Sequence, residues 1–385
     1  MADATDVLVS VLRNDAAPPL PRQDDLRSWE HLLVRARDEG LCGMLLRWLT
    51  DYGCGAPGDV LRQLTVEKDH VAATNRLLMR HIERLSGEFA REGVDLIVLK
   101  GGALVLDLYD DAGLRPMCDV DLLVRRDSAV GTDRLLRRLG YARGRGLVRD
   151  DFYPLYYYEA EYLWQGCGPV RLDVHVRPWR PMRYDGMVDD GLFWESPKRV
   201  GLGQSVVAIP RDEHMLVHLL CHAAFHGAER LLWLVDIHRL ATERHEVIDW
   251  PAALHLLRDC RLAYAAGFAL KRVEAVLGSC VPAGFRDGLK ESAVSWKDRL
   301  ALWQAPRDCH APLMHTLVDV LCTDGWSRRL GYVSAVLLPN STHMGDTYEA
   351  RHPGWLLCAH ARRALTGLGK LLRPAGLQKD AARIG

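Results

Sequence analysis

The ten cysteines of this 385-residue chain include no CxxC pair, so neither a zinc ribbon nor a thioredoxin-type redox motif is supported. Scattered thiols without such spacing fit a reduced, cytoplasmic protein. The opening residues, MADATDVLVS, have no basic n-region of a secretory signal. No apolar run approaches the roughly 20 residues that span a bilayer, so no membrane span is expected. Net charge is missing too: 50 basic and 50 acidic side chains cancel. A protein that coats long nucleic acid needs a basic face, so a long nucleic-acid partner is not expected. Internal repeats and low-complexity tracts are absent. Neither a Walker GxxxxGK[ST] nor a GxGxxG occurs, which excludes a P-loop and a dinucleotide-binding turn.

What is present is ample core material: 48% of the residues are hydrophobic and 26% charged. The length points to more than one domain. Residues 1–92 carry apolar side chains at three-and-four spacing in two stretches, each closed by Gly, and read as helices. From residue 93 the period changes. VDLIVLK reads as a buried strand, ALVLDLY as a helix, RPMCDVDLLV as a second strand and AVGTDRLLRRLGY as an amphipathic helix. YPLYYYEAEYLWQ and PVRLDVHVRP flank GCG and read as a hairpin. After about residue 205 helical patterns return, ending in the basic, amphipathic AHARRALTGLGKLLRPAGLQKD. An N-terminal helical region (1–92), an α/β core (93–205) and a C-terminal helical domain (206–385) are therefore expected, an α+β fold.

The second strand poses a chemical question. Strand side chains alternate faces, so Val120, Leu122 and Val124 point one way while Asp119 and Asp121 point together the other way. Two like charges side by side need something positive between them, and a metal ion is the natural candidate. In VRLDVHVR the same alternation puts Arg171, Asp173, His175 and Arg177 on one face, which brings in a third carboxylate. Three carboxylates on neighbouring strands suit a hard divalent cation such as Mg²⁺ or Mn²⁺, shared with substrate phosphates. Upstream, Gly101 and Gly102 fall between a strand and a helix start, where free N–H groups and the helix dipole favour a phosphate. Glycine permits close approach of the backbone, and Lys100 and Arg115 lie near enough in sequence to add charge. Taken singly, a DxD is compatible with a solvated strand, and GG with an ordinary turn. The ordered combination is what points to a site.

That order resembles the polymerase-β-like nucleotidyltransferase superfamily, with Gly-Gly before a helix, a D-x-D strand and a third acidic strand. A closer resemblance is to the bacterial uncharacterised nucleotidyltransferases, carried by VLKGGAL, LY, GLRPMCDVDLLV, LDVHV and EHMLVHLLCHAAFHGAERLLWLVDIHRL. It is expected to run from the helices before residue 93 to RLGYVSAVLLPNS near residue 341. The resemblance implies a polymerase-β-like core, metal held by Asp119, Asp121 and Asp173, and nucleotide phosphates at Gly101 and Gly102. It also implies transfer of a nucleoside monophosphate from a nucleoside triphosphate, with ATP the expected nucleotide, and release of pyrophosphate. The acceptor is expected to be a small molecule or a peptide or protein side chain.

His214, His218, His222 and His226 recur at every fourth residue of an expected helix. Neighbours four apart face each other at metal-ligand spacing, yet each step drifts about 40°, so only adjacent pairs could share an ion. Without an HExxH the preferred reading is a helix packed on the core, with His175, His222 and His226 as candidates for the acceptor pocket. Asp236, inside an apolar helix, is expected to make a buried polar contact. Trp164 and Trp179 are candidates for stacking on a base. Two other functions share parts of the pattern. A DxD glycosyltransferase explains Asp119 and Asp121 but not the glycines or Asp173, and a nucleotide-binding regulator without turnover would not need all three carboxylates.

Overall fold

The computed structural model describes residues 3–15, 18–144, 155–168, 170–185, 191–306 and 312–339, with a few single positions beyond. The chain divides into two compact units, residues 1–144 with 157–324, and residues 145–156 with 325–385. Apart from Arg362, the basic C-terminal tail lies outside the described residues. The described residues form 14 α-helices, a five-stranded mixed sheet and a two-stranded sheet, the α+β class read from the sequence.

The first unit opens with α1 (Ala4–Leu12), α2 (Leu26–Glu39), α3 (Cys42–Asp51) and the 34-residue α4 (Gly58–Arg91). Asp25 caps α2 by accepting from the Ser28 N–H, and Gly40 ends it in the left-handed region at φ 73°. A single helix through this stretch is therefore broken in two. The apolar stripe of α4, from Val60 and Leu64 to Leu85 and Phe89, is buried.

The sheet has the order β1-β2-β5-β4-β3. β1 (Leu96–Val98) runs antiparallel to β2 (Val120–Val124), and β2 runs parallel to β5 (Arg171–His175). β4 (Glu159–Trp164) pairs antiparallel with both β5 and β3 (Tyr141–Arg143). The connection from β1 to β2 contains α5 (Lys100–Asp107), and α6 (Ala129–Arg138) precedes β3. Every residue of β2 is buried, so the strand is covered on both faces. The β4–β5 hairpin forms as its β-rich pattern predicts. β3 and a second hairpin, β6 (Lys198–Leu202) with β7 (Ser205–Ile209), occupy stretches not read as strands.

Helices then resume with α7 (Asp212–Phe225) and α8 (Leu231–Glu243), the pair that the apolar pattern was long enough to supply. α7 is apolar nearly all round and buried on almost every side, with His214 and His218 inside. The unit continues through α9 (Trp250–Asp259), α10 (Ala263–Leu277), α11 (Ala283–Lys290), α12 (Trp296–Gln304) and α13 (Pro312–Cys322). In the second unit α14 (Trp326–Leu337) sets Tyr332 edge-on to Tyr156, with ring centroids 5.6 Å apart. No helix among the described residues is long and apolar enough to cross a membrane.

Candidate active site

The site begins with register. In the parallel pairing of β2 and β5, Asp121 lies directly opposite Asp173, and Val120 opposite Leu172. Residues paired in register share a face, so both carboxylates emerge from the same side of the sheet. Asp119 lies just ahead of the strand, and its ion pair with Arg171 brings it to the same side. Across the hairpin Glu161 faces Asp173 and Glu159 faces His175. The three expected aspartates are thus gathered, and Glu159 joins them. The sequence held one signal for Glu159: it alternates with buried Ala160 and Tyr162 on a strand already predicted to pair with β5.

Asp121 is the most enclosed of the set, 5% exposed. Lys100 Nζ donates to its Oδ1 at 2.6 Å, and His175 Nε2 lies 2.9 Å from the same oxygen. Burial alone would raise the carboxyl's pKa, but Lys100 and His175 outweigh it and hold the group far below the usual range. Lys100 responds in kind: burial opposes its charge, and Asp121 and Glu159 more than restore it. Asp173 has no such compensation. Burial, then Glu159, Asp121 and Asp119, push its carboxyl up to about 7. Asp119 is ion-paired with Arg171, whose Nε also lies 3.8 Å from Asp173. His175, fully buried, stands 3.5 Å from Glu159, and its Nδ1 has no hydrogen-bond partner.

The glycines occupy a different position from the one expected. Gly101 and Gly102 lie within the first turn of α5, which starts at Lys100 with φ 44°. The amides of this turn have no intrahelical acceptor, so the helix start still offers free N–H groups. Both glycines also have packing reasons to be small. A Cβ on Gly102 would stand 2.6 Å from Val98 Cγ1 and 3.1 Å from Ile82 Cδ1. A Cβ on Gly101 would run into the Arg115 guanidinium. Arg115, expected beside the nucleotide, is instead buried: it donates to Asp236 at 2.9 Å and to the Pro116 carbonyl at 3.1 Å. Tyr109 donates to the same aspartate at 2.7 Å, so Asp236 makes the buried polar contact that its apolar helix suggested.

Trp164 and Trp179 are both committed to packing. Trp164 lies on the other face of β4 from Glu159, against His81 and Tyr141 and beneath Arg84. Trp179 is 3% exposed and packs on Phe193. The histidine ladder grades from His218, fully buried with both ring nitrogens unpartnered, to His226 at the surface. His222 meets Trp233 edge-on and His226 meets it at a tilt, at centroid distances of 5.0 and 5.2 Å. Burial and then the Lys100 charge keep His218 and His222 neutral, well below the usual imidazole range. Among the described residues no group of three or more His, Cys, Asp or Glu side chains converges on a point that could hold a metal ion.

Residues 25–278 match the family described as uncharacterised nucleotidyltransferase. The chain belongs to this family. The match ends at 278, short of the point near 341 that the motifs suggested, but it spans every candidate site residue. A search of curated proteins found no match. Nucleotidyl transfer is thus the general activity of the uncharacterised nucleotidyltransferase family to which the aspartate face, the α5 start and the α7–α8 pair belong.

Proposed function

We propose that this protein is a metal-dependent nucleotidyltransferase that moves a nucleoside monophosphate from a nucleoside triphosphate, ATP in the first instance, onto an acceptor hydroxyl. The acceptor is a small molecule or a peptide or protein side chain, pyrophosphate is released, and the reaction takes place in the cytoplasm. The observation that carries this reading is the in-register pair Asp121 and Asp173, flanked by Asp119 on one face and close to the free amides at the start of α5.

The donor set fits a hard cation in kind. Asp119, Asp121, Asp173 and Glu159, with Glu161 opposite Asp173, outnumber the fixed positive charges of Lys100 and Arg171, so the ionised cluster carries surplus negative charge. Burial first, and then the charges of Glu159, Asp121 and Asp119, raise the Asp173 carboxyl. Asp119, Asp121 and Asp173 would hold Mg²⁺ or Mn²⁺, whose contribution is to neutralise the phosphates and acidify the acceptor hydroxyl. Lys100 and the first-turn amides of α5 would supply positive charge and N–H donors to a triphosphate. His175 orients Asp121 through Oδ1, and Glu159 backs His175. His222 and His226 with Trp233 offer a neutral, half-open wall for the acceptor.

The deciding experiment is turnover with Mg²⁺ or Mn²⁺ and each of the four NTPs, or with UDP-sugars, against panels of alcohols, sugars and peptides. Pyrophosphate release with a nucleoside-monophosphate mass shift on an acceptor is the expected result. Transfer of a sugar without pyrophosphate would overturn the reading in favour of the DxD glycosyltransferase.

A further inference from the structure

We propose that Arg171 is a displaceable counter-cation, holding Asp119 and Asp173 apart until a divalent ion takes its place. This rests on the metal-dependent reading above. Arg171 lies two residues before Asp173 on β5, so strand alternation aims both at the same face. Its Nη2 bonds Asp119 while its Nε stands 3.8 Å from Asp173. The guanidinium hydrogen-bonds Asp119 on one side and stands at ion-pair distance from Asp173 on the other, so it fills the approach between the two carboxylates. Mg²⁺ instead requires oxygens at about 2.0–2.1 Å from one centre. Among the described residues the acidic side chains do not converge on one such centre. Asp119 and Asp173 can meet on one ion only when Arg171 withdraws.

The cations of the site differ in their freedom to do so. Lys100 is 15% exposed and His175 fully buried, and both bond the same oxygen of Asp121, Oδ1. Asp121 Oδ2 is taken by neither, so this aspartate can accept a ligand without losing its partners. Arg171 is 41% exposed, and its Nε has no hydrogen-bond partner. It is the cation that can leave at low cost. A buried Lys100 without Asp121 would be left as an uncompensated charge, whereas the Arg171 side chain, 41% exposed overall, has solvent to move into.

Mn²⁺ binding by the full-length protein, followed by the loss of the free-ion EPR signal, tests this without reference to turnover. Arg171→Gln should bind Mn²⁺ about three- to tenfold more tightly than wild type, the scale of removing one or two partly exposed ion pairs. Equal or weaker binding in the variant, with wild type binding, overturns the role of Arg171 alone. Absence of binding in both proteins overturns the metal reading as well. Dicarbonyl labelling of wild type, read by peptide mass spectrometry, covers a variant that does not fold. Mn²⁺ should raise the modification of Arg171 at least about twofold, and an unchanged or lower yield overturns the proposal.

Discussion

Replacing Asp173 by Asn should stabilise the metal-free protein at neutral pH and above while removing its activity. Burial and the charges of Glu159, Asp121 and Asp119 raise the Asp173 carboxyl from 3.8 to about 7. The folded state therefore binds a proton that the unfolded chain has already released, over the window from about pH 4 to about pH 7. Stability falls as pH rises through that window and levels off above it. A rise of about three units corresponds to about 4 kcal/mol, because each unit is worth about 1.4 kcal/mol. Relaxation of the neighbouring carboxylates reduces this, so roughly 2–4 kcal/mol is the expected gain for Asp173→Asn at pH 8. Near pH 4, where Asp173 is protonated in the fold, the two proteins should be nearly equal. The assay is urea unfolding at both pH values after EDTA treatment, with turnover measured in parallel. Mn²⁺ should stabilise wild type more than the variant, and turnover should fall by about 100-fold or more. A variant no more stable than wild type at pH 8 would refute the argument that this site stores uncompensated negative charge.

Asp121→Asn acts in the opposite sense. Relief of repulsion between carboxylates predicts that stability holds or rises, but Asp121 is the partner of buried Lys100, and its loss should cost about 3 kcal/mol in urea unfolding at pH 7. Unchanged stability would show that Lys100 reaches another acceptor. Arg115→Ala leaves Asp236, fully buried, with only Tyr109, and a loss of about 3–5 kcal/mol is expected. Stability close to wild type would refute the buried pair as a structural element. Gly102→Val drives a side chain into Val98 and Ile82, so thermal melts should report a loss of about 1–3 kcal/mol. A native-like melt with weakened NTP binding would instead favour a pure phosphate-approach role.

Much of the chemistry was legible along the chain because strand alternation is a local property. It placed Asp119 with Asp121, and Asp173 with Arg171 and His175, before any pairing was known. The helical runs, the β4–β5 hairpin and the buried polar contact of Asp236 were readable for similar reasons, since three-and-four spacing, β-rich runs about a tight turn and a charge in an apolar stripe need no distant partner. Gly101 and Gly102 were visible as residues but not as packing elements, because what limits their size is Arg115, Val98 and Ile82 across the fold.

Tertiary structure alone decided the rest. The register of β2 against β5 sets Asp121 beside Asp173, although 52 positions along the chain separate them. The hairpin register sets Glu159 against His175, and so adds a fourth acid that no motif announced. Arg115 met Asp236, 121 residues away, and was thereby turned from the nucleotide into the core. Alternation tells which way a side chain points. Which charge it meets depends on strand register and helix packing, and electrostatic energy follows that distance and not the separation along the chain.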